Sequence, residues 1–120
     1  MTVHADVLEA SAPLGFALAT DVAEKLVKDG VAFRDAHEAV GHLVVGCTVN
    51  GKELHEATDE ELAHVSPHLT PSIRSVLDVR GAIAARTGHG GTAPERVSEQ
   101  LEVLRLEVEA HRAWSSPVLP

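Results

Sequence analysis

A short run near the carboxyl end, Arg86-Thr-Gly-His-Gly-Gly-Thr-Ala-Pro-Glu95, specifies a turn followed by the start of a helix. Its three glycines permit a positive φ, which only glycine adopts freely. Its second threonine is a good N-cap, its proline suits the first helical turn, and its glutamate completes an S/T-x-x-E capping box. We call the residues that carry these signals the helix-start loop: Gly88, Gly90, Gly91, Thr92, Pro94 and Glu95.

A glycine-rich helix start also raises the question of phosphate binding, because exposed amides at such a start attract anions. The spacing here matches neither G-x-x-x-x-G-K-[ST] nor G-x-G-x-x-G, and no lysine follows the glycines. We therefore interpret the helix-start loop as structural and expect no cofactor there.

Apolar residues recur at helical spacing upstream of this loop. Leu18, Val22 and Leu26 predict one helix, which stops at a glycine C-cap signal, Gly30. A second helix starts with Phe33 and ends near Asn50-Gly51. Its tail, residues 44–49, is rich in β-branched residues and glycine, so a strand is the alternative there, although no second clear strand exists to pair with it.

Three short helical segments and one long helix follow. A capping box, Thr58-Asp-Glu-Glu61, starts the first, Thr70-Pro71 opens the second, and residues 81–85 form one more turn. The long helix runs from about Pro94 to Arg112. Its apolar residues alternate at spacings of four and three, which suits packing on one or two neighbouring helices. We call these residues the apolar stripe: Val97, Leu101, Leu104 and Val108.

The predicted fold is therefore all-α: a small orthogonal bundle of stacked helix–turn–helix units that ends in one longer amphipathic helix. A length of 120 residues allows one domain, and an aromatic content of 2% favours close packing of Ala, Val and Leu. The formal net charge of −8 argues against nucleic-acid binding, including by a helix–turn–helix unit.

The number of cysteines and the length of the apolar runs indicate the cellular compartment of the protein. The single cysteine, Cys47, excludes an internal disulfide and fits a reducing compartment. No apolar run approaches membrane-spanning length, and Met1-Thr-Val-His4 does not begin a secretory signal. We predict a soluble cytoplasmic domain with no membrane partner.

No metal site or catalytic residue emerges from the histidines or the cysteine. His37 and His42 are five apart, which places them roughly 140° apart around a helix, beyond the reach of one ion. His64 and His68 have the four-residue spacing, but Pro67 lies between them and breaks a helix. Cys47 follows two valines and a glycine, a setting in which a thiol is usually a small buried hydrophobe.

Five segments, in matching order and spacing, resemble the end of argininosuccinate lyases and together cover roughly residues 3 to 113: Gly15–Val27, Val31–Gly41, Leu62–Pro67, Thr70–Leu77 and Gly90–Glu95. The resemblance implies a small all-helical C-terminal domain of a longer, tetrameric enzyme that releases fumarate from argininosuccinate in arginine biosynthesis. It also implies that residues 1–13 are the end of a central-domain helix or linker, 14–114 the helical domain, and 115–120 a frayed tail.

The catalytic parts of that family have no counterpart in this sequence. The family's signature loop, Ser-Ser-x-Met-Pro-x-Lys-x-Asn, is absent, since the only methionine is Met1. His89 stands where family members often have a tyrosine before Gly-Gly. The resemblance therefore implies a domain that is inactive alone, self-associates, and has the rest of a lyase chain and its sister subunits as partners. A stand-alone helical interaction module is the alternative.

Overall fold

The computed structural model describes residues 2–115, and their regular structure is helical, with no strand among them. The α-helices are α1 (Ala5–Ser11), α2 (Ala19–Lys28), α3 (Phe33–Asn50), α4 (Asp59–Val65), α5 (Val79–Ala84) and α6 (Pro94–Ser115). Two 3₁₀ helices, Leu54–Glu56 and Pro71–Val76, flank α4 in the chain. The all-α prediction with a long last helix is confirmed, and the alternative of a strand at residues 44–49 is wrong because α3 continues through them.

Two compact units make up the structure, Met1–Ala82 and Ile83–Pro120. In the first unit, α2 packs on α3 and on the 3₁₀ helix Pro71–Val76, while α3 also packs on α4. The most deeply buried large side chains come from all four of these elements: Val22, Leu26, Leu43, Leu62 and Ile73. The core is therefore aliphatic.

Glycines end both long helices of the first unit. Gly30 has a φ of 97°, and its N–H donates to the carbonyl of Val27 at 3.0 Å. The N–H of Val31 donates to the carbonyl of Leu26 at 3.0 Å, which completes the two-bond Schellman pattern. Gly51, with a φ of 63°, ends α3 in the same way. The predicted glycine C-cap at Gly30 is confirmed, and so is the predicted end of the second helix near Asn50-Gly51.

The capping box predicted at the start of α4 is also present. The Thr58 hydroxyl accepts a hydrogen bond from the Glu61 N–H at 3.2 Å, and the Glu61 carboxylate accepts one from the Thr58 N–H at 2.8 Å. Arg74 connects the 3₁₀ helix Pro71–Val76 to the start of α4. Its guanidinium donates to the carbonyl of Ala57 at 2.9 Å and to the Asp59 carboxylate at 2.6 Å.

Thr70 behaves differently from Thr58, although both precede a predicted helix. The segment after Thr70 is a 3₁₀ helix, and the Thr70 side chain does not cap it. Instead the Thr70 hydroxyl lies 2.7 Å from the hydroxyl of Ser72. Thr70 correctly predicted where a helical segment begins. The predicted hydrogen bond from a helix amide to its side chain is absent.

The first and last helices of the described chain are largely exposed. Helix α1 has no buried residue, and Val3, Val7 and Leu8 each expose more than half of their surface. Helix α6 continues to Ser115, three residues past the predicted end at Arg112, so the predicted tail does not start at Ser115. Residues 116–120, the rest of that tail, lie outside the described residues. No helix within residues 2–115 is long and apolar enough to cross a membrane.

The contrast between Thr58 and Thr70 gives a matched test. Thr58→Ala removes the acceptor for an α4 amide and should lower the free energy of unfolding by about 1 kcal/mol. Thr70→Ala removes no cap and should change it by less than about 0.5 kcal/mol. Urea denaturation followed by circular dichroism measures both midpoints, and equal losses in the two variants would contradict the assigned cap.

Candidate functional site

The helix-start loop forms a closed turn ahead of α6. The Gly91 N–H donates to the carbonyl of Gly88 at 2.8 Å, and the Ala93 N–H donates to the carbonyl of Arg86 at 3.2 Å. Gly90 has a φ of 75°, the conformation that the third residue of a type II turn requires. Of the three glycines in the loop, Gly90 is the one with positive φ.

Close approach, rather than a positive φ, explains why Gly91 is glycine. A Cβ atom at this position would lie 2.2 Å from the carbonyl oxygen of Arg86 and 2.8 Å from that of Gly88. Both contacts are with backbone atoms, so the turn itself would have to move. Gly88 has open space around it, and the structure gives no reason for glycine there.

The predicted N-cap is displaced by one residue. Helix α6 begins at Pro94, and the carbonyl of Ala93 accepts the first helical hydrogen bond, from the Val97 N–H at 3.0 Å. Ala93 therefore occupies the cap position, Thr92 precedes it, and Glu95 is the second helical residue rather than the third. The prediction of Thr92 as N-cap is wrong because Pro94, which has no N–H, takes the first helical position.

Hydrogen bonds within the helix-start loop bear on whether its amides could bind a phosphate. The amides of Gly91 and Ala93, which a phosphate cradle would use, already donate to carbonyls of the same turn. The Gln100 side-chain amide also donates to the carbonyl of Gly91 at 3.1 Å and ties the turn to α6. These contacts support a structural role for the helix-start loop.

The apolar stripe of α6 lies in the open. Its four side chains keep between 39% and 54% of their surface exposed: Val97, Leu101, Leu104 and Val108. No residue of α6, which is described along its whole length, is buried. The sequence spacing located the stripe, and the structure leaves more than a third of each of its side chains exposed.

A cleft between α3 and α4 contains the single cysteine. Its volume is about 380 Å³, and Cys47, Lys52, Glu61 and His64 are among its lining residues. Burial and the negative charge of Glu61 raise the pKa of the Cys47 thiol. A raised pKa keeps the thiol protonated and unreactive, which supports its interpretation as a small buried hydrophobe.

An ion pair stands beside that cysteine. The Lys52 ammonium donates to the Glu61 carboxylate at 2.6 Å. This hydrogen bond raises the pKa of Lys52 and lowers the pKa of Glu61, so both groups stay charged at neutral pH. Glu61 also belongs to the capping box of α4, and the pair therefore fastens the segment after α3 to the start of α4.

A second cleft, of about 630 Å³ between α2 and α3, was not identified from the sequence. Phe33 stands at this cleft with 72% of its surface exposed, and its ring lies 6.0 Å from that of His37. The helical spacing of Phe33 and Val40 correctly predicted α3. Spacing alone does not show that the side of α3 with Phe33 is exposed to solvent.

The structure also bears on metal binding by the histidines. Within residues 2–115, no group of three or more His, Cys, Asp or Glu side chains is arranged to hold a metal ion. His37 lies at the α2–α3 cleft and His64 at the α3–α4 cleft.

Substitution of the loop glycines tests the close contact at Gly91. Gly91→Ala should destabilise the turn by roughly 1–3 kcal/mol, because its Cβ meets two backbone oxygens. Amide hydrogen exchange at Ala93 and Val97, followed by NMR, should show lost protection. Gly88→Ala is the matched control and should keep that protection, as should Thr92→Ala because Thr92 is not the cap. Unchanged exchange in Gly91→Ala would contradict the observed turn.

Comparison with known proteins identifies relatives of this chain. A family model described as "Argininosuccinate lyase C-terminal" matches residues 16–84. The argininosuccinate lyase of Streptomyces coelicolor is 53% identical over 115 residues, which cover 96% of this chain and 24% of that protein. The argininosuccinate lyase of Acidothermus cellulolyticus is 52% identical over 119 residues, with the same two coverages.

A solved structure agrees on the fold. The chain of an EDDS lyase variant with bound fumarate superposes with a TM-score of 0.72 at 24% sequence identity, covering 91% of this chain and 24% of that one. The chain thus spans about a quarter of the length of the curated relatives that it matches. Since the family model matches more than half of its residues, this chain belongs to the argininosuccinate lyase C-terminal family.

Proposed function

We propose that the chain is the C-terminal domain of an argininosuccinate lyase, the enzyme that cleaves argininosuccinate into arginine and fumarate in arginine biosynthesis. The observation that carries the proposal is the near-complete collinear match: 96% of this chain aligns at 53% identity with 24% of a lyase from Streptomyces coelicolor. A match of this kind fits a domain that serves the activity of a longer protein.

The role of the domain in that enzyme is structural, and it is not catalytic by itself. Two observations support this role. The amides of Gly91 and Ala93 donate within the turn, and the raised pKa of Cys47 disfavours a nucleophilic thiolate. General acid–base chemistry needs two groups that converge on a substrate. The described residues offer ion pairs that hold helices instead, such as Lys52 with Glu61.

The partners of the domain are the remainder of the lyase chain and its sister subunits, assembled as a cytoplasmic tetramer. Exposed apolar side chains support the need for such partners. Val7 and Leu8 of α1 are more than half exposed, as is Val3 just before it. We assign residues 1–13 to the end of a central-domain helix. Residues 14–114 would form the helical domain. Burial of apolar surface is worth roughly 25 cal/mol per Å², so covering these side chains stabilises an assembly.

Catalysis by the isolated chain is the first point to test. We expect no turnover of argininosuccinate, because the residues that would transfer protons belong to other parts of the lyase. Fumarate release, followed by its ultraviolet absorbance at high protein concentration, measures this. The S. coelicolor lyase is the positive control, and activity above a buffer blank that co-purifies with the chain would contradict a purely structural role.

A chimera tests membership in the enzyme directly. In the S. coelicolor lyase, the aligned C-terminal quarter is replaced by this chain. The chimera should form the same oligomer as its parent, retain argininosuccinate cleavage and support growth of an arginine auxotroph. Leu62→Asp, in the fully buried core, should abolish all three, whereas Val49→Asp should not, since Val49 is 80% exposed.

The outcome separates the two functions that the sequence left open. An active chimera supports the lyase domain. A chimera that folds and assembles but is inactive, or one that fails to assemble although the chain alone is well folded, would contradict the proposal and favour a stand-alone interaction module.

A further inference from the structure

Helix α6 carries apolar residues on two opposite sides. The apolar stripe occupies one side: Val97, Leu101, Leu104 and Val108. A second set, which we call the opposite stripe, occupies the other: Val103, Leu106, Ala110 and Ala113. Leu104 and Leu106 are two residues apart and therefore lie roughly 160° apart around the helix, at 100° per residue. Both are more than half exposed.

Both stripes have the alternating three- and four-residue steps of a two-stranded coiled coil. Beside the opposite stripe, Glu102 and Glu109 occupy position g and Glu107 occupies position e, so two copies would repel each other there. The apolar stripe is therefore the candidate for pairing.

The steps of four, three and four residues in the apolar stripe place Leu101 and Val108 at position a of a heptad, and Val97 and Leu104 at position d. Helix α6 has 22 residues and is therefore about 33 Å long, or three heptads. That length lets two such helices lie side by side with these residues facing each other.

Charged residues beside the apolar stripe distinguish a parallel from an antiparallel pair. In this register Arg105 and Arg112 occupy position e, while Gln100 and Glu107 occupy position g. In a parallel pair, a g residue faces the e residue five positions later in the partner helix. Glu107 then faces Arg112 of a second copy, twice per pair, and Gln100 faces Arg105. An antiparallel pair would bring arginines at e opposite each other.

We propose that the apolar stripe of α6 is a self-association surface, whose occupant is α6 of a second copy in parallel orientation. Two Glu107–Arg112 ion pairs between the copies fix that orientation. The proposal goes beyond the lyase assignment, since it depends on the register of α6 alone.

Matched glutamate substitutions on the two stripes test which side associates. Sedimentation of the full chain, from micromolar to millimolar concentration, should show a monomer–dimer equilibrium. Leu104→Glu should weaken the association constant about tenfold or more, a loss of about 1.4 kcal/mol. Leu106→Glu introduces the same residue on the opposite stripe and should leave the constant unchanged. Circular dichroism of both variants verifies that the helices remain folded.

Charge reversal tests the orientation. Glu107→Arg places like charges at both g–e contacts and should weaken association about two- to fivefold, as expected for exposed ion pairs. The double variant Glu107→Arg with Arg112→Glu should restore it, because the attraction is rebuilt with the charges exchanged. Residues 107 and 112 do not face each other on one helix, so the rescue reports on contacts between copies.

A disulfide test gives the orientation independently. In a Cys47→Ala background, Val97→Cys should form a dimer-linking disulfide on oxidation, because position 97 meets itself in a parallel pair. Val103→Cys, on the opposite stripe, should not. In an antiparallel pair the two thiols at position 97 would lie about 20 Å apart.

Several results would overturn the proposal. One is a monomer at every concentration, which would assign the apolar stripe to another part of a longer chain. Others are equal loss of association in Leu104→Glu and Leu106→Glu, failure of the double reversal to rescue, and absence of the position-97 disulfide. None of these results depends on whether the chimeric lyase is active, so this proposal and the proposed function fail separately.

Discussion

Close packing of α2 on α3 is the interaction on which the rest of the first unit depends. The small side chains of Ala36 and Ala39 on α3 are buried, as are Leu26 of α2 and Leu43 of α3. The Schellman turn at Gly30 brings the two helices back on each other. The 3₁₀ helix Pro71–Val76 then packs on α2, and α4 packs on α3. A sequence with 2% aromatic residues can form this core because alanine permits short distances between helices.

Much of this fold could be predicted from the sequence, since the signals at helix ends are local. The capping box of Thr58 and Glu61 and the C-cap at Gly30 need only a few adjacent residues, and both are present. The start of α6 was misplaced by one residue because two local rules compete there. If Thr92 caps the helix and Glu95 is its third residue, the helix starts at Ala93. If Pro94 is the first helical residue, the helix starts one residue later, and this is the start that the structure shows.

The candidate site was less predictable, because the spacing of apolar residues along a helix does not show whether another part of the molecule packs against them. Phe33 lies at the correct spacing for a core residue, yet it is the first residue of α3 and stands 72% exposed at the α2–α3 cleft. The apolar stripe was found by its period, but its exposure depends on chain segments or copies that periodicity cannot supply. Gly91 was identified as important for a positive φ that it does not have. Its true constraint, contact with the carbonyl of Arg86, arises only after the turn closes.

An exposed apolar helix of this kind is informative about assembly. A helix that is apolar on two opposite sides, as α6 is, cannot cover both by packing on a single neighbour. If the chain serves as one domain of a lyase, the opposite stripe is available to the remainder of that enzyme while the apolar stripe pairs with a second copy. The arginines at Arg105 and Arg112 disfavour an antiparallel pair, so charge sets the orientation whereas apolar area supplies affinity. In the proposed pair, the few basic residues of α6 therefore determine how the two copies meet.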